Sequence, residues 1–239
     1  MAQPMPVLLM TRPVAASNRF VADLKAEGLT FRPVISPLFT VETTGPLPRT
    51  DDIRGLIFTS SNGVSSWLAL GGRTDLPVYT VGAATARTAR LAGMTAHSAD
   101  GNVDDLRDWL LNLSPPGPLL HAHGTHVRGD LAARLSQAGL SCRSVVIYDQ
   151  PKVPLTRDAR EALIGRAPVV IPVFSPRSGQ LLLSERAKAP ILVAAMSEAV
   201  AKALAPLHKQ ELKVARRPES LALQEVVSDL LIRASAGDF

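Results

Sequence analysis

The 239-residue chain holds a single cysteine, Cys142. A lone thiol cannot close an internal disulfide and has no partner for a metal-thiolate site, which fits a reducing compartment such as the cytoplasm. Flanked by strand-like residues, it reads as a small hydrophobe and not as a nucleophile. Aromatic residues make up only 4% of the chain, so burial has to come mainly from Leu, Val, Ile and Ala. The few aromatics are not interleaved with basic residues, as a stacking platform for nucleic acid requires. Charge is not massed either. The 26 basic and 21 acidic residues leave a net charge of +5 with no long Lys/Arg run, which favours an anionic ligand but is too diffuse to support a nucleic-acid partner. No apolar run approaches a membrane-spanning length. MAQPMPVLLM has no basic residues before its short apolar run, which soon meets Arg12 and Pro13, so it reads as a first strand and not as a signal peptide. The absence of GxGxxG and Walker A patterns removes support for dinucleotide or ATP binding, and without a GxSxG elbow hydrolysis is weakly supported.

What the chain does contain is alternation. Strand-like runs VLLMT, FRPVIS, GLIFTS, PVYTVG, TAHSA, PLLHAH, SVVIYD, VVIPVFS, ILVAAM and LKVAR alternate with amphipathic stretches such as SNRFVADLKAEG, VSSWLALGG, TARTARLAG, VDDLRDWLLNL, GDLAARLSQAG, AVAKALAP and ESLALQEVVSDLL. This is the pattern of βαβ units and parallel sheets, so the class is α/β. The length suits one large domain or two small ones.

The chain also repeats. LKAEGLTFRPVISPL (Leu24 to Leu38) matches LSQAGLSCRSVVIYD (Leu135 to Asp149), pairing Gly28 with Gly139 and Arg32 with Arg143, and upstream VLLMTR falls on LLHAHG. IFTSSNG resembles VFSPRSG, with Phe58 and Ser60 on Phe174 and Pro176. VGAATARTA resembles MSEAVAKAL, and the tract after Thr95 resembles that after Leu212. An order a, b, a′, b′ implies two similar α/β domains. Periodicity leaves open whether they are tandem or crossed. The Pro-containing stretches FTVETTGPLPRT and DQPKVPLTRD read as loops and as the crossings between domains, with a cleft between the lobes.

Several strands end in small hydrogen-bonding residues. Thr59, Ser60, Ser61 and Asn62 lie just before a helix, where hydroxyl and amide groups join unpaired backbone N–H groups and the positive end of the helix dipole. Helix capping explains any one such turn, but the pattern recurs at Thr11 and Arg12, at Gly82 to Thr85, at Gly124 and Thr125, at Ser175, Pro176 and Ser178, and at Ser197. Loops at the carboxyl ends of parallel strands are where open α/β sheets bind ligands, and helix N-termini take anions. His121, His123 and His126 in HAHGTH lack the Cys or acidic partners of a metal site and read as ordinary strand and loop residues. Trp67 and Trp109 read as core anchors, DDLRD as a solvated first helical turn, and ARRP (Ala215 to Pro218) as a solvated loop. Tyr148, at the end of SVVIYD beside a crossing, is either a phenol facing the cleft or a core tyrosine.

The ordered set of TRP at Thr11 to Pro13, GLIFTSSNGV, VYTVGAATARTARLAG, LLHAHGTHVRGDLAARLSQAG, VVIYDQ, and VFSPRSG followed by MSEAVAKAL resembles the uroporphyrinogen-III synthases over nearly the whole chain. The resemblance implies two similar doubly wound parallel-sheet domains, flavodoxin-like or HUP-like, with a cleft between them and a two-stranded linker. The pairing would be crossed, with residues 1–38 plus 158–239 in one lobe, 46–149 in the other, and 39–45 and 150–157 as linkers. The implied reaction uses no cofactor and no metal. A linear hydroxymethyl tetrapyrrole with eight carboxylates loses water and closes with its last ring inverted, so the enzyme must hold a flexible chain in the productive pose. Tyr148 falls on the family's favoured proton donor, and a phenol, with an ordinary pKa of about 10, is protonated at neutral pH. Thr59, Ser60, Thr85 and Ser175 fall on the family's strand-end hydroxyls. Ser197 to Ala201 replaces a GPTTA-like stretch, and Gln150 replaces a threonine. A monomer in the cytoplasm is expected, with no membrane partner and a transient contact with the upstream deaminase. The competing readings are a non-catalytic two-lobed module that closes on an anionic metabolite and a sugar-phosphate or nucleotide-dependent transferase.

Overall fold

A computed structural model describes residues 4–127 and 129–239. Met1, Ala2 and Gln3, in the first-lobe assignment, and Arg128, in the HAHGTHVRGD motif, lie outside the described residues. The chain divides into two compact units. The terminal unit takes the residues up to Thr40 together with Lys152–Phe239, and the middle unit takes Val41–Pro151.

The terminal unit holds a five-stranded parallel sheet of β1 (Val7–Met10), β2 (Arg32–Ile35), β9 (Val169–Val173), β10 (Ile191–Ala195) and β11 (Glu211–Val214), in the order β11-β10-β9-β1-β2. VLLM, VVIPV and ILVAA are buried at every position, as strands covered on both faces must be. Val7, Leu9, Ile171 and Val193 face α6 (Arg157–Ile164), α7 (Pro176–Leu182) and α8 (Glu198–Ala203). Leu8, Met10, Val170 and Leu192 face α1 (Val14–Ala26) and α9 (Ser220–Ala236). The β1–β9 ladder ends at Leu8 and Val170, two residues before Pro172, which has no N–H to donate.

In the middle unit the order is β3-β8-β7-β4-β5-β6, from β3 (Glu42–Thr43), β4 (Gly55–Phe58), β5 (Val78–Thr80), β6 (Ala96–Ser98), β7 (Leu119–Gly124) and β8 (Cys142–Asp149). All pairs are parallel except β3 with β8. Leu56, Phe58, Leu120 and Ala122 pack under α2 (Ser61–Ala69) and α3 (Ala83–Leu91). Ile57, Tyr79 and Leu119 pack under α4 (Val103–Leu113) and α5 (Leu131–Gln137). Trp67 is the largest fully buried side chain, with its Nε1 donating to the Arg73 carbonyl at 2.9 Å. Truncating such an anchor to alanine costs about 3–5 kcal/mol. Trp109 is half-buried and meets the Tyr79 ring edge-on at 5.9 Å. DDLRD opens α4 with a capping box between Asn102 and Asp105, and Arg216 and Arg217 are exposed.

Counted along each unit's own chain, the terminal sheet runs 2-1-3-4-5, and the parallel strands of the middle sheet run 3-2-1-4-5. Both are doubly wound orders, each with a switch point where neighbouring strands send their connections to opposite faces. The switch lies between β1 and β9 in one unit and between β4 and β7 in the other. The repeat maps β1-α1-β2 onto β7-α5-β8. Gly28 and Gly139 both take positive φ, +81° and +93°, just past α1 and α5, where glycine avoids the Cβ penalty.

Three details differ from the sequence reading. Matching VLLMTR to LLHAHG sets Val7 on Leu119, yet Val7 pairs with Arg32 as Leu120 pairs with Arg143. The match therefore slides by one residue, and a slip of one exchanges the faces of every side chain. Leu8 and Met10 are then the counterparts of His121 and His123. Secondly, the helix caps are Ser60 and Ser175, so Ser60 is the counterpart of Ser175 and not of Pro176. Thirdly, FTVETTGPLPRT, read as a loop, contains β3, a two-residue edge strand that exists only by pairing with the end of β8. Such a strand is too short to leave a period in the sequence.

Candidate active site

The candidate residues gather at the carboxyl ends of the strands within each unit. In the terminal unit Thr11 and Arg12 follow β1, while Ser175, Pro176 and Ser178 follow β9, so these five sit at the switch point. Thr11 is buried. The Arg12 guanidinium lies 4.1 Å over the Phe174 ring, which is itself edge-on to Phe20 at 5.4 Å. Burial, and then the like charge of Arg19, lower the Arg12 pKa, and among the described residues no carboxylate pairs with it. That environment gains from an added negative charge. Ser175 caps α7, its Oγ accepting from the Ser178 N–H at 3.1 Å and sharing a hydrogen bond with Ser178 Oγ at 2.9 Å. Pro176 takes the first helical position, where its missing N–H costs nothing. Ser197 lies one strand away, after β10, and heads α8 without a side-chain cap bond.

In the middle unit Thr59, Ser60, Ser61 and Asn62 follow β4, and Gly124 ends β7, again at the switch point. Ser60 Oγ accepts from the Asn62 N–H at 3.2 Å. Ser61 Oγ accepts from Thr88 Oγ1 at 3.1 Å and so ties α2 to α3. Gly82 heads α3, one strand over, and Thr85, in the first turn, is buried. A surface cavity of about 270 Å³ in the terminal unit is lined by Lys152, Pro154, Leu155, Arg160 and Glu185, none of them a candidate residue.

Tyr148 is 6% exposed and belongs to the core cluster under α2. A strand alternates its faces, so Val145 and Ile147 point one way and Tyr148 would point the other. The β7–β8 register instead shifts between His123, opposite Val146, and Gly124, opposite Tyr148. Ile147 is the extra residue of a bulge, and the bulge turns Tyr148 onto the same face as Ile147. The ring then lies over Gly63 and Gly124. A Cβ on Gly124 would meet Tyr148 Cε2 at 2.4 Å and Cζ at 2.6 Å, and one on Gly63 would lie 3.9 Å from Cε1. Both glycines are thus walls of the tyrosine's slot, one from the first turn of α2 and one from β7.

Asp149, which sequence reasoning passed over, follows Tyr148 at the end of β8. The Thr125 N–H donates to the Tyr148 carbonyl at 3.0 Å, Thr125 Oγ1 donates to Asp149 Oδ1, and His126 Nε2 lies 3.9 Å from that oxygen. In the terminal unit Arg177, also passed over, sits 5.6 Å over the Phe39 ring. Its position just inside a helix start in VFSPRSG was the available signal. His121 and His123 are 4% and 8% exposed, with ring centroids 4.7 Å apart. Burial, and then His123, depress the His121 pKa to about 4, and its Nε2 has no partner among the described residues. Burial pushes the Cys142 thiol up to about 11, which leaves it protonated and inert. Among the described residues no three His, Cys, Asp or Glu side chains are placed to hold a metal ion, and no helix is long and apolar enough to cross a membrane.

A uroporphyrinogen-III synthetase structure from Helicobacter pylori superposes with a TM-score of 0.69 at 16% identity, covering 96% of this chain and 100% of that one. A mutant uroporphyrinogen III synthase from the extreme thermophile Thermus thermophilus gives 0.52 at 16% identity, covering 96% and 99%. At these identities the likeness is one of fold. No curated relative matches the chain in sequence. The family model described as uroporphyrinogen-III synthase HemD matches residues 18–225. That span carries every named strand but β1, the turns after β4, β7 and β9 and the tyrosine slot, and with it the chain belongs to the uroporphyrinogen-III synthase family, whose members cyclise hydroxymethylbilane.

Proposed function

We propose that the strand-end turns of both units are the carboxylate contacts for hydroxymethylbilane and that Tyr148 is the acid that protonates its leaving hydroxyl. The observation that carries this reading is the convergence of the candidate residues on the switch points, with a bulge that turns one tyrosine into a glycine-walled slot at the middle unit's strand ends. Loss of the hydroxyl as water leaves an electron-poor pyrrole methylene, and ring closure with inversion of the last pyrrole then depends on the pose in which the chain is held. Holding that pose is catalysis by positioning. Hydroxyls and amides at helix starts suit eight carboxylates, since each turn offers donors and a positive dipole end. Arg12, with no carboxylate partner among the described residues, is the strongest single contact for an anionic side chain in the terminal unit. Residues 39–45 and 150–157 serve as linkers between lobes of 1–38 plus 158–239 and 46–149. The enzyme works as a monomer in the cytoplasm, with no cofactor, and takes its substrate from the upstream deaminase through a transient contact.

The test supplies the linear tetrapyrrole from that deaminase and resolves the product isomers. The type III isomer should dominate without added metal or nucleotide, whereas a binding module would leave the spontaneous type I isomer dominant. Tyr148→Phe should lower turnover by roughly a hundredfold, the range for loss of a general acid, while product affinity changes little. Unchanged turnover removes Tyr148 from the chemistry.

A further inference from the structure

We infer that His123 is a positioning residue for Tyr148, acting through the backbone of Gly124 and the bulge in β8; the inference rests on the assignment of Tyr148 as the acid. A bulge gives up regular ladder pairing at the extra residue, so its geometry needs a second restraint. Strand alternation puts the His123 side chain on the face of the sheet opposite the Tyr148 ring, and from there it spans both strands. Its Nδ1 lies 2.7 Å from the Gly124 carbonyl oxygen and its Nε2 2.6 Å from Ser144 Oγ. A carbonyl only accepts, so Nδ1 carries the proton and donates to Gly124, and Nε2 accepts from the Ser144 hydroxyl. The imidazole thereby fixes the peptide of the last β7 residue to β8, three residues before the extra Ile147. That same Gly124 presents its bare Cα to the Tyr148 ring. Rotation of its peptide or a slide of the register would move the wall against which the phenol rests.

The terminal unit serves as an internal control. Its counterpart of His123 is Met10, fully buried and apolar, and β1 and β2 pair from Val7 with Arg32 to Met10 with Ile35 without a register shift. The staple occurs where the bulge and the tyrosine occur, and in the unit that lacks them an apolar side chain fills the position.

The experiment compares His123→Met, Ser144→Ala, Ser144→Thr and Tyr148→Phe, singly and in pairs, under the deaminase-coupled assay. His123→Met installs the terminal unit's own residue, and Ser144 is exposed, so Ser144→Ala removes one bond without touching the core. We expect His123→Met to lower kcat by roughly ten- to a hundredfold, the scale for a slightly misplaced catalytic group, with KM within about twofold. Ser144→Ala should lower kcat in the same manner to a smaller degree, and Ser144→Thr, which keeps the hydroxyl, should restore it. Neither His123→Met nor Ser144→Ala should lower kcat further in the Tyr148→Phe background. Losses that multiply in the double variants overturn the inference while leaving Tyr148 as the acid. So does Ser144→Ala with unchanged kcat, even if His123→Met fails to fold. A Tyr148→Phe enzyme with full turnover overturns the acid assignment and this inference with it.

Discussion

The two units share a plan and differ in what they bury at their switch points. In the terminal unit β1 presents Leu8 and Met10 to α1 and α9, and both are fully buried among apolar neighbours. The middle unit has His121 and His123 at the same two positions of β7. Gly124, against the tyrosine ring, has Thr11 as its counterpart by the same register, and the repeat sets Pro37 on Tyr148. One unit has solved a packing problem with side chains that carry no polar atoms. The other has placed two imidazoles, one with a nitrogen that finds no partner among the described residues, where its counterpart holds apolar side chains. An unsatisfied buried polar group costs about 1–3 kcal/mol, so packing alone does not explain the exchange. It falls in the strand that flanks the proposed acid, whereas the terminal unit keeps its distinctive charges at the strand-end turn and the first turn of α7, with Arg12 on Phe174 and Arg177 near Phe39.

The sharpest way to break this comparison is at Gly124. In Gly124→Ala the added Cβ would overlap the Tyr148 ring at 2.4 to 3.0 Å, so the ring or the strand must move. We expect turnover to fall by about a hundredfold or more, the scale for a displaced catalytic group, with about 1–3 kcal/mol of lost stability from overpacking. Deaminase-coupled turnover and urea unfolding give the two numbers. A Gly124→Ala enzyme with normal turnover would mean that the slot does not hold a working tyrosine.

A smaller effect distinguishes the two strands by pH. His121 has a folded-state pKa of about 4 against an ordinary 6.5. Above pH 6.5 both folded and unfolded chains hold it neutral, so it contributes no pH dependence there. As the pH falls from 6.5 to 4 the unfolded chain takes up a proton that the folded chain refuses, and stability declines by about 1.4 kcal/mol per unit, on the order of 3 kcal/mol in all. Below pH 4 the decline from this group stops. His121→Leu installs the residue that β1 carries at Leu8, and urea unfolding at pH 7, 5.5 and 4.5 should show this part of the acid sensitivity gone. An identical slope in wild type and variant would show that burial of His121 is relieved by some motion of the strand.

Much of this architecture was legible in the sequence because β1, β4, β5, β7, β9 and β10 are buried at every position and read as short, mainly apolar runs. All ten strands named from the sequence are present, the half-exposed β2, β6, β8 and β11 included, and the turn glycines Gly28 and Gly139 anchor the repeat because a left-handed position leaves few other choices. The match between β1 and β7 slid by one because no turn residue pins it, and Leu, Met, Ala and His carry little register information. β3 has no signal of its own, since it forms only against β8. At the site, the caps were legible from residue type, and Ser60 and Ser175 do cap their helices. The slot was not. A bulge has no composition signature, and the two glycines that wall the ring stand 61 residues apart in the chain, Gly63 and Gly124.

The smallest of the expected effects tests whether those two caps are equivalent. Each accepts one backbone N–H, Ser60 from Asn62 at 3.2 Å and Ser175 from Ser178 at 3.1 Å, and loss of such a bond costs about 1 kcal/mol. As stability terms Ser60→Ala and Ser175→Ala should therefore be nearly equal. They should separate in function. Ser175 shares its hydroxyl with Ser178 Oγ as well, so its removal leaves a neighbouring hydroxyl still able to donate to a carboxylate. Among the described residues Ser60 Oγ bonds no second hydroxyl, and the Ser61 hydroxyl is tethered to α3 through Thr88 Oγ1. KM should accordingly rise more in Ser60→Ala than in Ser175→Ala, by about threefold for a difference of one neutral hydrogen bond of 0.5–1 kcal/mol, while kcat changes little in either. Equal KM values would show that the middle unit's first turn contributes through its backbone N–H groups and helix dipole, with the serine serving only to cap α2.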